Sequence, residues 1–359
     1  MINSLFVKDF KSIDEFNFFL KKLNLFVGPN SSGKTSAIRA LLLGVDNIST
    51  SQIHHKMTST FVAPSSFKET KNYTTISKFF QINIDDLKLK FSPADESSIN
   101  TNVEITSRSS DVLLDTLKKK FIYLPANRVA DYSGSKINPR PDENTLGQHG
   151  EFIIDFFHQN KDNTNLPEVV RKDRTTKTFA GQVNYWLKKI TGYTIDVIFD
   201  DSKYVVRYID RNQRKIHPSN VGTGVSFITG VLIACFAGAL NNNSTNGDAT
   251  DRGYVIIENP EIHLHPSAQA DLMDFFSLIT KTNTQLFIET HSDHIFNGVR
   301  RLLHKRDLLL EDVKVFNFRL ESCGSTSIKD ILLSQEGGVV DYEPGLFEQF
   351  DKDLDSILS

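Results

Sequence analysis

Apolar residues alternate at Leu5, Val7 and Phe10, the period of a strand with one buried face. A second apolar run, Leu23–Val27, is predicted as a strand that runs directly into a Gly-rich loop. From Thr35 the apolar positions Ile38, Leu41 and Leu42 take helical spacing, so the segment reads strand, loop, helix. Residues 49–75 are Ser/Thr-rich and weakly patterned, which predicts a loop or irregular insertion with His54 and His55 exposed on it. Phe80, Ile82 and Ile84 alternate as a strand, Leu87, Leu89 and Phe91 as its hairpin mate, and Val103 and Ile105 suggest one strand more. Lys118–Lys120 close a short expected helix before the apolar strand Phe121–Leu124. After a loop over 131–144, Phe152–Phe157 and Phe179–Ile190 are helical in pattern, and Thr194–Phe199 pairs with Tyr204–Tyr208 as a hairpin.

A second block follows. The loop Asn220–Gly224 opens an apolar helix, Val225–Leu240, and 241–250 is a polar linker with no packing face. Tyr254–Ile257 is a short, fully apolar strand of the buried parallel kind, and Gln285–Ile288 is another buried strand. Helices at Pro266–Thr280 and Ile295–His304 and a strand at Val313–Leu320 complete the alternation, which predicts an α/β fold.

Composition narrows this little. A chain of 359 residues, 39% hydrophobic and 24% charged, can bury a core, which excludes wholesale disorder and a disulfide-stapled miniprotein. A net charge of −3 leaves any nucleic-acid contact to local basic runs such as Lys118–Lys120 or Arg171, Lys172 and Arg174, and most such runs are solvated faces. Cys235 and Cys323 sit in unlike contexts, and the opening residues lack the pattern of a signal peptide. The run Val225–Leu240 is interrupted by Ser226, Thr229 and Gly230 and is short for a membrane span. A reduced, cytoplasmic chain with no membrane contact is the expectation.

The sharpest chemical signal is Gly28, Pro29, Asn30, Ser31, Ser32, Gly33, Lys34, Thr35, which matches G-x-x-x-x-G-K-[ST] in full between a strand and a helix that continues through Ser36. Successive backbone N–H groups and the helix N-terminus form a cradle for phosphate oxygens. Lys34 is placed to reach the β- and γ-phosphates and the Thr35 hydroxyl to bind Mg²⁺.

The second block carries Glu258 at the end of an apolar strand, then Asn259, Pro260, Glu261, Ile262, His263, Leu264, His265, Pro266. Its next strand ends in Glu289, Thr290, His291, Ser292, Asp293, His294. His263, His265, His291 and His294, with Glu258, Glu261 and Asp293, invite a metal reading, but His-x-His and His-x-x-His at strand ends, with no cysteine, fall short of a zinc site. A guanine-specifying motif is missing, since Asn160, Lys161, Asp162, Asn163 is not Asn-Lys-x-Asp. A small-molecule kinase would have no use for the second block, and the Gln-bearing loop and Asp-Glu pair of a membrane transporter subunit cannot be identified. No nuclease block follows.

The order phosphate loop, Gly loop plus helix, acidic strand, then His resembles the ABC-type ATPases of the SMC/RecF/OLD-like branch. The phrases I-E-N-P-E-I-H-L-H-P and E-T-H-S-D-H, with the ending from Gly338 through Pro344 and Gly345 to Phe347, are closer to a group of small bacterial AAA/ABC ATPases with a C-terminal domain of unknown function. The resemblance covers both ends of the chain well and the middle thinly. It implies a P-loop NTPase of the ABC-ATPase head type: a mixed sheet with helices on both faces and an α+β middle insertion. The expected parts are 1–60 and 211–335 for the head, 61–210 for the insertion and 336–359 for a tail.

The resemblance further implies a homodimer or higher oligomer with ATP between the phosphate loop of one subunit and the signature loop of the other. Gly222 and Gly224 would there allow close approach, with Ser226 capping the helix. Residues His265–Ser267 would lie near the seam. Glu258 would hold Mg²⁺ with Thr35, and His291 would sense the γ-phosphate. Where the common pattern has Asp-Glu-Pro, this chain has Glu258, Asn259, Pro260, and an Asn side chain cannot accept a proton. Either Glu261 takes over as the base or hydrolysis is slow. Arg128, after the strand Phe121–Leu124, is expected as either a phosphate contact or an ordinary surface arginine. The function expected is an ATP-dependent regulatory subunit of anti-phage defence, partnered by a separately encoded effector such as a nuclease or toxin. A RecF/SMC-like DNA-binding ATPase is the alternative.

Overall fold

The computed structural model describes residues 1–48, 54–59, 61, 66–94, 101–107, 120–129, 131–139, 146–240, 252–341, 353 and 355–357. In chain order the elements are β1 (Ser4–Phe10), β2 (Ile13–Phe19), β3 (Leu23–Val27), α1 (Lys34–Asp46), β4 (His54–Lys56), α2 (Phe67–Thr70), β5 (Phe80–Ile84), β6 (Leu87–Pro93), β7 (Thr101–Ser107) and β8 (Phe121–Leu124). There follow α3 (Ile153–Asn160), α4 (Phe179–Thr191), β9 (Thr194–Asp200), β10 (Lys203–Ile209), β11 (Lys215–Ile216), α5 (Thr223–Leu240) and β12 (Gly253–Glu258). The last are α6 (Pro266–Ile279), β13 (Thr284–Thr290), α7 (Asp293–His304), β14 (Val313–Leu320) and β15 (Thr326–Asp330).

The central sheet has the order β15-β14-β3-β13-β12-β8, parallel except for β15. An antiparallel sheet, β2-β1-β5-β6-β7-β4, lies beyond α1, and β9–β11 form a small third sheet. Alternation on the central strands divides the core in two. Leu25, Val255, Ile257, Leu286 and Ile288 face the helices α3 to α7. Phe26, Ile256, Phe287, Phe316 and Phe318 face α1 and the antiparallel sheet. Every residue of β3, β12 and β13 is buried, because each strand is covered on both faces and takes no polar side. This explains why these strands are mostly apolar without alternation, with Asn24 and Gln285 as buried, hydrogen-bonded exceptions.

The middle segment is α+β in content, and its strands are woven into the head: β5 to β7 extend the sheet begun by β1, and β8 is the edge of the central sheet. The strand β2 escapes the sequence reading because four of its seven positions are exposed, including Asp14 and Glu15, leaving only Ile13 and Phe18 as buried anchors. The strand β15 escapes it for the same reason. His54 and His55, expected on a loop, lie on β4, an edge strand pairing with Glu104 and Val103. The expected helix before Lys120, the linker 241–250 and the tail 342–352 lie outside the described residues. Among described helices, α5 is long and apolar enough to cross a membrane; it is packed inside the protein, with 89% of it buried.

Candidate functional site

The parallel register of the central sheet brings the C-terminal ends of β3, β13 and β12 to one edge, the general ligand-binding edge of such sheets. At the end of β3 the chain turns through Gly28, with φ of 141°, and Ser31, with φ of 60°, to Gly33, with φ of 100°. Added side chains would collide: a Cβ at Gly28 would stand 2.3 Å from the carbonyl oxygen of Phe318, and one at Gly33 2.3 Å from Thr326 Oγ1. Gly33 is also the N-cap of α1 and supplies no side-chain cap; the Ser36 N–H turns back to the Gly33 carbonyl, and those of Lys34 and Thr35 are left for a ligand.

Lys34 is buried, and its ammonium donates to the carbonyls of Gly28 and Pro29 at 2.9 and 2.7 Å. Burial lowers its pKa, with Glu289 and Glu261 pulling the other way. The loop from Asn30 to Ser36, with Ser12, Asn259, Glu289 and His291, encloses a cavity of about 400 Å³. Two polar atoms on its wall are buried without a hydrogen-bond partner: the Ser32 hydroxyl, on a residue 1% exposed, and Asn259 Oδ1. Orphaned polar atoms of this kind mark a place for a polar ligand.

The carboxylates are arranged differently from the sequence expectation. The Thr35 hydroxyl meets Glu289, at 2.9 and 3.0 Å from its two oxygens, and does not meet Glu258. Glu258 accepts from the Tyr123 hydroxyl at 2.8 Å and from the Ala126 N–H at 3.0 Å, and it does not line the cavity. The reason is the strand order. The strand β13 lies between β3 and β12, so its terminal acid is the nearer one to the phosphate loop. Glu258 and Glu289 are register partners on adjacent strands. Burial first, then the charge of Glu258, pushes Glu289 up to about 7. Burial and Glu258 also push the Tyr123 hydroxyl well above its ordinary range.

Glu261, the expected base, accepts from the Thr290 hydroxyl at 2.7 Å and the His291 N–H at 2.9 Å, both through Oε1. It lies off the cavity wall and fixes the turn that carries His291. Burial raises its pKa; the two donors act against that. His291 is on the wall, with its pKa lowered by burial and then by Lys34, which favours a neutral ring. Asn259 also lies on the wall, in a left-handed conformation with φ of 46°.

Arg128 is neither a surface arginine nor a cavity residue. It is 3% exposed and donates to the carbonyls of Pro125, Glu258 and Asn259 at 3.2, 2.8 and 3.1 Å. Burial pushes its pKa down to about 10. Its guanidinium covers the Phe227 ring on α5. The helix α5 begins at Thr223, so Ser226 is inside the first turn, 2% exposed, and is not a cap. Gly222 stands open, whereas a Cβ on Gly224 would come 2.5 Å from the His263 carbonyl oxygen. None of these three lines the cavity. His265 caps α6, its Nδ1 accepting from the Ser267 N–H at 3.3 Å. Of the basic runs, Lys118 and Lys119 lie outside the described residues, and Arg171 is spent on the carbonyls of Leu166 and Thr164.

Sequence reasoning missed Glu289, Tyr123 and Ser12. Glu289 left a signal: like Glu258, it is an acid that directly follows a run of apolar strand residues, here Leu286–Ile288.

Residues 23–297 match the protein-family model described as "AAA domain, putative AbiEii toxin, Type IV TA system". No curated protein matches the chain. Among solved structures, the chain is similar to an SmcHead bound to the C-winged helix domain of ScpA, with 12% identity over 93% of this chain and 98% of that one and a TM-score of 0.59. It is also similar to an Smc head domain with an extended coiled coil, bound to the C-terminal domain of ScpA derived from Pyrococcus furiosus. There the identity is 11% over 100% of this chain and 99% of that one, with a TM-score of 0.55. At such identities the likeness is one of fold.

Proposed function

The chain belongs to that AAA-domain family and has the fold of the SMC-head ABC-type ATPases, and from this premise we propose that it binds and slowly hydrolyses ATP as a regulatory subunit. The observation that carries the reading is the cradle itself. An uncapped helix N-terminus, a buried lysine and an orphaned serine hydroxyl converge on one cavity. The N–H groups of Ser31 to Thr35 and the Lys34 ammonium take the phosphates, and His291 faces the terminal one.

Thr35, Glu289 and Asn259 offer oxygen donors on the same wall, the donor chemistry Mg²⁺ takes in company with phosphates. When bound, the ion would neutralise phosphate charge. Glu261 positions His291 through Oε1, and because the residue lies off the cavity wall we assign it this holding role and not that of the base. With Asn259 unable to act as a base, slow turnover follows.

Self-association around the nucleotide would use the exposed N-terminus of α5 at Gly222 and Thr223. Both Smc heads named above carry a bound ScpA domain, which supports a protein partner here. A separately encoded effector such as a nuclease or toxin, in a defence system, is the partner we propose. The test is nucleotide binding, ATP hydrolysis and light scattering for the unmodified chain and Lys34→Ala. Loss of binding and of nucleotide-dependent assembly is expected, and full ATP binding by Lys34→Ala would overturn the reading.

A further inference from the structure

We infer that the divalent cation accompanying the nucleotide is held by Glu289 together with Thr35, and not by Glu258, the acid that ends the neighbouring strand. This rests on the nucleotide-binding reading above and assigns its metal contact to a different strand.

Position is the first argument. The Thr35 hydroxyl is the side-chain oxygen that a phosphate loop offers to Mg²⁺. It stands 2.9 and 3.0 Å from the two oxygens of Glu289, so one ion can reach both residues with small side-chain shifts. Glu289 lines the cavity and Glu258 does not.

Availability is the second. Both oxygens of Glu258 are occupied, one by the Tyr123 hydroxyl and one by the Ala126 N–H. Swinging the Glu258 carboxylate round to the cavity wall would pull it away from those donors, and a buried donor left unpaired costs about 1–3 kcal/mol. The Glu289 carboxylate accepts only from the Thr35 hydroxyl among the described hydrogen bonds, and an ion would replace that contact without orphaning a backbone group.

Electrostatics is the third. Glu258 and Glu289 face each other in register on strands about 4.8 Å apart. Two buried carboxylates at that spacing repel, and a dication at the outer one relieves the repulsion. Independently of the acids, the orphaned Ser32 hydroxyl and Asn259 Oδ1 show that this wall is built for a polar ligand.

The test uses Mn²⁺ as a paramagnetic stand-in for Mg²⁺, with a non-hydrolysable ATP analogue. Free Mn²⁺ is counted by electron paramagnetic resonance for the full chain, Glu289→Gln, Glu289→Asp and Glu258→Gln. Binding of a fluorescent ATP analogue in EDTA is measured in parallel. Glu289→Gln is expected to weaken Mn²⁺ at least about tenfold, a loss of the size seen when metal sites lose a supporting group. Metal-free nucleotide binding should survive in that variant. Glu289→Asp should recover part of the Mn²⁺ affinity, and Glu258→Gln should retain it. An equal or larger Mn²⁺ loss in Glu258→Gln overturns the assignment while leaving the nucleotide reading intact. Absence of nucleotide binding by the unmodified chain overturns both.

Discussion

The guanidinium carbon of Arg128 lies 4.7 Å from the centre of the Phe227 ring. That contact joins the loop after β8 to the first turn of α5. The same guanidinium donates to the carbonyls of Glu258 and Asn259, so one side chain ties three segments at the site's edge. The Phe227 ring in turn meets the His263 ring, with centres 5.6 Å apart, so the turn after β12 also packs against the start of α5.

Arg128→Ala would leave two buried carbonyls without donors and remove a buried stacking partner. The expected loss is roughly 2–4 kcal/mol of folding stability, read as a lower urea midpoint with an unchanged slope. Arg128→Lys should recover little, because an ammonium cannot serve three divergent carbonyls and cover a ring together. A lysine variant as stable as the parent would contradict this account.

Glu261 separates two chemical roles. A general base changed to an amide loses its proton acceptor, and turnover would fall on the order of a hundredfold or more. A positioning residue changed to Gln keeps an oxygen for the Thr290 hydroxyl and the His291 N–H. We therefore expect Glu261→Gln to retain turnover within about tenfold and Glu261→Ala to lose more, since Ala frees both donors. Steady-state hydrolysis by the two variants decides the matter; equal, near-complete loss in both would restore Glu261 as base.

That correction shows where the sequence was legible. The phosphate loop is local: every residue that shapes it lies within eight positions, and its flanking strand and helix announce themselves by period. The buried strands β12 and β13 were legible for the same reason, through the apolar runs Tyr254–Ile257 and Leu286–Ile288. The pairing of Thr35 with Glu289 spans 254 residues and depends on β13 lying between β3 and β12. Strand order leaves no mark in a single sequence, so motif position pointed to Glu258, whereas the acid that meets Thr35 is on the neighbouring strand. Arg128 failed in a similar way. A lone arginine after a strand says nothing of whether carbonyls from residues 258 and 259 will close over it. The strands β2 and β15 were missed because edge strands with polar outer faces carry few buried anchors.

Gly28 tests the backbone of the cradle. Its φ of 141° is a region side chains rarely enter, and a Cβ there would strike the Phe318 carbonyl oxygen on β14. Gly28→Ala must distort the loop or push β14 aside, and backbone strain of this kind costs about 1–3 kcal/mol. Calorimetry should show a lower melting temperature, and titration with a fluorescent ATP analogue should show at least about tenfold weaker binding, as one such strain term implies. Parent-like binding would mean that the cradle tolerates a different path.

Glu289 links stability to pH with a definite sign. Its folded pKa of about 7 lies above the ordinary 4.5, so between those values the folded chain holds a proton that the unfolded chain has released. Stability therefore falls as pH rises through that window, and the cost is fully present above pH 7. At 1.36 kcal/mol per unit the upper bound is roughly 3 kcal/mol. Glu289→Gln removes the charge and keeps an oxygen for the Thr35 hydroxyl. In nucleotide-free, metal-free buffer the variant should be more stable than the parent at pH 8, with the advantage shrinking toward pH 4.5. Urea unfolding at several pH values reads this directly. An advantage that grows on acidification would mean that Glu289 is held charged in the folded protein, by neighbours stronger than the burial and the Glu258 repulsion described above.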